Sequence, residues 1–294
     1  MAIACVVVSL VVVASAAAAL DPSTYRLKTV DVPMGNPDAK DPTLSCSPGK
    51  RVAPAGAFFH HPGQGPDSSL SLGAAVTGIP VSGDRRWYAS AANGGQDLSL
   101  RVIALCAPKR QLRGLRLKMK EFTIDDGATG GGEVKCPPRR RLLNGGAVWH
   151  RPGQEPDPSL GAMVRTESSA PATDDKGWFA DGYNYTGVQL QLRVVAACVP
   201  KGRLGRVRAQ KEDLPAGAGL SAGDLLKCPS CKRVLTGGAL FHRLGQAPDP
   251  SNAYGAKISS SSPTRDAKAW YADGHNFYGF PDDQLRIVVL CVPK

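Results

Sequence analysis

The residues best suited to chemistry recur three times in one order. His60, Gln64, Asp67 and Ser69 return as His150, Gln154, Asp157 and Ser159, and again as His242, Gln246, Asp249 and Ser251. His, Asp and Ser are the side chains of a serine hydrolase, where a base within about 3 Å of the nucleophile takes its proton. Here the three lie within ten residues of one another and no nucleophile elbow accompanies them, so a hydrolase is the last of the alternatives. One His and one Asp per copy are too few for a closed zinc site. Turn chemistry is the plainer reading, since Pro-Asp-Pro-Ser and Pro-Gly accommodate Asp and Ser without a ligand. Gln and His fit it less well, and their return in every copy suggests hydrogen bonding to a polar ligand. The candidate binding residues are therefore His60, Gln64, Asp67, His150, Gln154, Asp157, His242, Gln246 and Asp249, with no catalytic residue, metal or cofactor expected.

Other candidates divide between structure and binding. Asp181-Gly-Tyr-Asn184 and Asp273-Gly-His-Asn276 carry calcium-type ligands, but the first copy reads Ser90-Ala-Ala-Asn93, and a hairpin turn explains Asp-Gly better. Trp87, Trp178 and Trp270 suit core packing more than sugar stacking. Tyr183, Tyr185, Phe277 and Tyr278 cluster only in the second and third copies, so a stacking surface would belong to those two. His61 and His275 occur in single copies and read as surface histidines without a function. Asn184-Tyr-Thr186 is a glycosylation acceptor sequence.

The elements that must hold these residues follow from the repeat itself. Cys46 to Lys109, Cys136 to Lys201 and Cys228 to Lys294 align. Each opens with Cys and basic residues, passes a Gly-Ala pair (Gly56-Ala57, Gly146-Ala147, Gly238-Ala239), and closes on Leu-Arg-(Val/Ile) and a second Cys. Spacing between copies sets a unit of about 90 residues, so each owns the stretch before its first Cys. There, Leu115, Leu117 and Met119 alternate with Arg116, Lys118 and Lys120, the period of a half-buried strand. Short β-branched runs broken by Gly and Pro continue throughout, and no amphipathic helix stands out. The expected fold is all-β: three tandem, disulfide-closed, β-sandwich-like modules over residues 20–110, 111–201 and 202–294.

In the last strand of the first module, Leu98, Leu100, Val102, Ala104 and Cys106 share one parity, which turns the cysteine inward. Bridges Cys46–Cys106, Cys136–Cys198 and Cys228–Cys291 are therefore expected, each stabilising by roughly 4 kcal/mol on the chain-entropy model. A core of this size is marginal without them. Cys231 is left over, as a free thiol or an intermolecular partner.

Residues 2–20 are uncharged and end in small residues that offer cleavage sites before Asp21, as in a secretory signal peptide (residues 1–19). No Lys or Arg precedes them, and an uncleaved anchor is the rival reading. No later segment is apolar enough to span a membrane. Net charge is +11, divided among the three modules as +3 (10 minus 7), +3 (13 minus 10) and +5 (13 minus 8) with signs interleaved. A nucleic-acid binder gathers its cations on one face, so nucleic acid is not an expected partner. A diffuse positive field suits glycans or anionic surface polymers.

The Cys-Pro opening with Lys/Arg, Gly145-Gly146, Trp178, Asn184 and the closing Ala-x-Cys198 resembles the small secreted β modules common in actinobacteria, best in the second copy. Two departures are the Ala in place of a third Gly and the added polar loop after each His. The resemblance implies an extracellular β-sandwich with a Cys pair and lends no activity. The resulting expectation is a secreted, non-enzymatic, multivalent binding or adhesion protein, with a structural envelope or matrix protein as the alternative.

Overall fold

A computed structural model describes residues 20–81, 85–248, 255–278 and 280–293. The signal-peptide expectation and the candidates Asp249 and Ser251 lie outside the described residues. The fold is all-β. The first segment forms β1 Arg26–Met34, β2 Asp38–Lys40, β3 Thr43–Ser45, β4 Lys50–His60, β5 Ala74–Pro80, β6 Arg86–Asn93 and β7 Leu98–Pro108. The second forms β8 Arg116–Ile124, β9 Thr129–Lys135, β10 Arg140–His150, β11 Val164–Pro171, β12 Gly177–Asn184 and β13 Leu190–Pro200. The third forms β14 Arg208–Pro215, β15 Ser221–Lys227, β16 Lys232–Arg243, β17 Ala256–Pro263, β18 Ala269–Asn276 and β19 Asp283–Pro293.

Each segment folds its strands into two half-sheets. One has its last strand in the middle (β1-β7-β4, β8-β13-β10, β14-β19-β16), and the other follows the order β5-β6-β2, β11-β12-β9 or β17-β18-β15. Between them lies the core. In the first segment Leu98, Leu100, Val102, Ala104 and Cys106 all enter it beside Trp87 and Cys46. Disulfides join Cys46–Cys106, Cys136–Cys198 and Cys228–Cys291 across Cα separations of 5.7, 5.6 and 5.8 Å, while Cys231 is free and exposed. The buried Trp178 and Trp270 share the cores that hold Cys198 and Cys291.

The half-sheets do not end at the segment boundaries. Strand β4 pairs with β17 at Ala57↔Ser261, β10 with β5 at Ala147↔Gly78, and β16 with β11 at Ala239↔Ser169. First joins third, third joins second, and second joins first. Three continuous sheets close into a ring, each built from two segments. This explains the repeated Gly-Ala pair. A Cβ on Gly56, Gly146 or Gly238 would overlap the backbone carbonyl oxygen of Ser261, Gly78 or Ser169 in the facing strand. Inside the ring a cavity of about 40 Å³ is lined by Trp87, Trp178 and Trp270. Nearby, buried Asn144 donates from Nδ2 to the Ala53 carbonyl (2.7 Å) and accepts from Thr236 Oγ1 (3.2 Å), tying all three segments together.

Strand β8 departs from the expected half-buried pattern. Arg116, Lys118 and Lys120 sit opposite Cys198, Ala196 and Val194, so the cations share the parity of the core, while Leu117 and Met119 face outward. The strand lies at an open sheet edge, where long basic stems run along the rim with their charges in water. Lys120 Nζ lies 4.5 Å from the Phe122 ring, and Leu117 packs on a small outer cluster of Ile79, Val148 and Val195.

The junction yields a direct test. Gly146→Ala forces a methyl into a backbone carbonyl that cannot rotate away, and overpacking of this kind costs about 3 kcal/mol. Thermal unfolding should show a Tm fall of roughly 6 °C or more. Gly202→Ala, where an added Cβ would meet nothing, should leave Tm unchanged.

Candidate functional site

The repeated histidines lie at the ends of β4 and β10 and one residue before the end of β16, and their rings are buried. Each Nδ1 donates to the carbonyl of the next residue: His60 to His61 (2.7 Å), His150 to Arg151 (2.9 Å) and His242 to Arg243 (2.7 Å). Each Nε2 faces a carboxylate on the edge strand beyond the central one, at 3.5 Å from Asp31, 3.5 Å from Glu121 and 3.3 Å from Asp213. An arginine holds each carboxylate from the central strand. Arg101 grips Asp31 through Nε (2.6 Å) and Nη2 (2.8 Å), Arg286 grips Asp213 at the same distances, and Arg193 reaches Glu121 at 3.0 and 2.8 Å. Hydrogen bonds from Arg101 hold the Asp31 carboxyl below its ordinary range, and those from Arg286 do the same for Asp213. Sequence reasoning missed these partners, although each carboxylate occupies one position of the first strand and each Arg belongs to the repeated Leu-Arg-(Val/Ile).

Asp67 and Asp157 cap short 3₁₀ turns, Ser68–Leu72 and Pro158–Ala162, by accepting the backbone N–H of Ser69 (2.8 Å) and Ser159 (2.9 Å). The Ser69 N–H also holds the Asp67 carboxyl below its usual range. Ser159 Oγ donates to Asp157 Oδ1 (2.6 Å), so the hydroxyl is turned to the carboxylate while His150 faces Glu121, and the three do not assemble as a triad. Gln64, Gln154 and Gln246 have exposed side chains, and their backbone N–H groups close the turn after each His.

The first of these loops crosses to the third segment. Ser71 Oγ donates to Ser221 Oγ (2.8 Å), Ser259 Oγ to the Ser71 carbonyl (2.8 Å), and Lys257 Nζ to the Leu72 carbonyl (3.2 Å). Between this loop and β15 runs an open groove of about 450 Å³, with Gln64, Asp67 and Ser68 on one wall, Asp224 and Leu225 on the other, and Tyr271 in its lining. No family model and no curated protein matches the chain. What the groove can do must come from its own side chains. It offers carboxylates, an amide and a hydroxyl beside an exposed Leu225, a set that hydrogen-bonds hydroxyl-rich ligands.

A second cluster draws on the aromatic residues of the later copies. Arg165 Cζ lies 4.4 Å from the Phe277 ring centre, 5.3 Å from Tyr278 and 5.4 Å from Tyr185. Lys257 Nζ lies 5.3 Å from Phe277. Tyr183 stacks on Tyr185, with ring centres 5.9 Å apart. His275 is not a surface residue: its buried ring meets Ser221 Oγ at 2.9 Å and packs edge-to-face with Phe277, ring centres 4.5 Å apart.

One further expectation needs correction. Asp181-Gly182 and Asp273-Gly274 do not form hairpin turns; both pairs lie inside β12 and β18, opposite β-bulges in β11 and β17. The glycine is required because a Cβ on Gly182 would overlap the Arg165 carbonyl oxygen. Asn184 is fully buried, with Nδ2 donating to the carbonyls of Ile124 (3.0 Å) and Val188 (2.8 Å), so the acceptor sequence is closed to a glycan in the folded chain. Asn93 and Asn276 tie their own loops in the same way.

Burial pushes the Asp273 carboxyl up to about 7, although Tyr271 Oη donates to Oδ2 at 2.6 Å. Burial, with the nearby Asp181, also pushes Glu167 well up. An acid raised in the folded state keeps its proton while the unfolded chain loses one above about 4, so stability falls as pH rises from about 4 to 7 and levels beyond. Asp273→Asn should remove part of that slope. In urea unfolding, the variant's stability relative to the parent should rise between pH 4.5 and pH 7.5, at about 1.4 kcal/mol per pKa unit removed.

Proposed function

We propose that this chain is a secreted, non-enzymatic binding protein that takes up neutral glycans in the groove between its first polar loop and β15. The observation that carries the reading is the groove itself. Gln64 and Asp67, singled out by their recurrence, face Asp224 of another segment across a space of about 450 Å³. That volume falls within the range of small-ligand sites. Carboxylates and an amide accept and donate to sugar hydroxyls, and Leu225, 40% exposed, offers an apolar contact. Three disulfides suit an oxidising compartment, and among the described residues no helix is long and apolar enough to cross a membrane.

A structural envelope or matrix role is the second reading. It is favoured by the capping work of Asp67 and Asp157 and by the burial of His60, His150 and His242, which spend the most conspicuous residues of the repeat on the scaffold itself. A glycan array separates the two. On the binding reading, the parent protein marks a set of neutral glycans, and Gln64→Ala or Asp224→Asn lowers that signal at least tenfold with Tm unchanged. A blank array, or a signal indifferent to both substitutions, favours the structural role. Glycosidase or esterase turnover lost in Ser159→Ala would overturn the non-enzymatic part.

A further inference from the structure

Strand β8 carries a charge pattern that its counterparts lack. Strands β1, β8 and β14 occupy the same place, each paired to the last strand of its segment with Arg26, Arg116 or Arg208 opposite a disulfide cysteine. Two residues on stand Lys28, Lys118 and Gln210, and two further on Val30, Lys120 and Glu212. Of the three strands, β8 alone presents three cations in alternation, and all three are exposed. Alternate residues of a strand recur about every 6.8 Å, so the row runs in one line for about 14 Å. Among the described residues no carboxylate pairs with Arg116, Lys118 or Lys120. The acid of β8, Glu121, is gripped by Arg193 at 2.8 Å, and the acid of the adjacent β9, Glu133, lies 3.4 Å from Lys135.

More cations gather where the row begins. Arg140 Nη1 donates to the carbonyls of Gly114 and Cys198, and Cys198 is the residue opposite Arg116. Beside it, exposed Arg139 holds φ at 62°, in the left-handed region, where the residue that precedes β4 in the first segment is Gly49 at 77°. An arginine in that conformation costs stability that a glycine would not, and a cation kept there points to a use outside the fold. Edge protection is the plainer role for lysines on an open strand, since a charged rim discourages another strand from pairing. It leaves the third cation of β8 unexplained, because β1 and β14 are edges of the same kind and hold Val30 and Glu212 there. Stems laid along the rim shield the backbone from an incoming strand but keep the charged heads in water. The Phe122 ring is half-buried, with Lys120 Nζ 4.5 Å from its centre and Gly132 packed against it, which makes it a poor platform for a nucleobase. A row of point charges without an open ring suits a polymer that presents anions at intervals along an extended chain.

We propose that β8, through Arg116, Lys118 and Lys120 with Arg139 and Arg140 at one end, is a docking strip for a linear acidic polysaccharide. The strip is separate from the groove between the first polar loop and β15 and stands without that reading. Its attraction acts between exposed charges, so added salt weakens it.

Calorimetric titration of the intact disulfide-bonded chain tests this with dextran sulfate, uncharged dextran of equal length, polyglutamate and a single-stranded oligonucleotide. Dextran sulfate should bind, most tightly at low salt, and uncharged dextran roughly tenfold more weakly or worse. Lys120→Glu, which gives β8 the residue that β14 carries, should cost roughly tenfold, and Lys118→Gln about fivefold, with Tm unchanged. Arg139→Gly should lower affinity about threefold while Tm holds or rises, a split that a purely structural arginine would not produce. Lys211→Gln, on β14, removes the same charge from the molecule as Lys118→Gln and should leave the affinity unchanged. The proposal is overturned by no binding of dextran sulfate, by equal binding of uncharged dextran, by tighter binding of polyglutamate or the oligonucleotide, by full retention in Lys120→Glu, or by equal losses in Lys118→Gln and Lys211→Gln.

Discussion

Three backbone crossings govern the architecture. Where β4 meets β17, β10 meets β5 and β16 meets β11, two strands from different segments come close enough to leave no room for a Cβ, and a glycine stands at each crossing. Strand pairing there satisfies edge groups that a free sandwich would expose to aggregation. Because the three crossings form a cycle, no segment can leave without breaking two sheets. Asn144 then adds a buried bond to each of the other two segments, a polar contact of the kind that specifies one arrangement.

The ring divides the sequence into what repeats and what does not. Apart from the exposed glutamines, the repeated polar groups serve the scaffold: each His is set against a carboxylate and an Arg, Asp67 and Asp157 cap turns, and each Asn ties down a loop. A residue kept in every copy answers a need that every copy has, and here that need is to hold the loop after β4, β10 or β16 in place. Other surfaces arise where copies differ. Arg165 and Lys257 occupy the position that Ala75 holds in the first segment, and Asp224 faces Gln64 across the groove because a loop of the first segment lies against a strand of the third.

The fold was legible to the extent that it is local. Period-two alternation in Leu98 to Cys106 correctly turned the cysteine inward, and the three bridges followed from it. The ring was not legible, because a strand's pattern reports which side faces a core and says nothing of which chain segment lies beyond its edge. Leu117 and Met119 misled for a related reason: at an open edge, basic stems can occupy the core parity. At the site, recurrence of His60, Gln64 and Asp67 was visible, but its cause was not. The carboxylates that face the histidines lie about 29 residues upstream, a distance at which spacing carries no geometry. The aromatic cluster was visible as composition, while the cation it surrounds belongs to another strand.

Closure of the ring also changes what three copies can contribute to binding. Beads on flexible linkers would gain avidity by letting each bead find its own site, with an effective concentration set by linker length. Sheets that run through the segment boundaries remove that freedom, so any sites on this protein are held at fixed separations. A rigid body rewards ligands whose own repeat matches that spacing and gives little advantage with ligands that do not. Closure therefore lets each small core be finished by strands of its neighbours, while positions that differ among the three segments, such as Lys257 and Ala75, leave the faces of the ring chemically different.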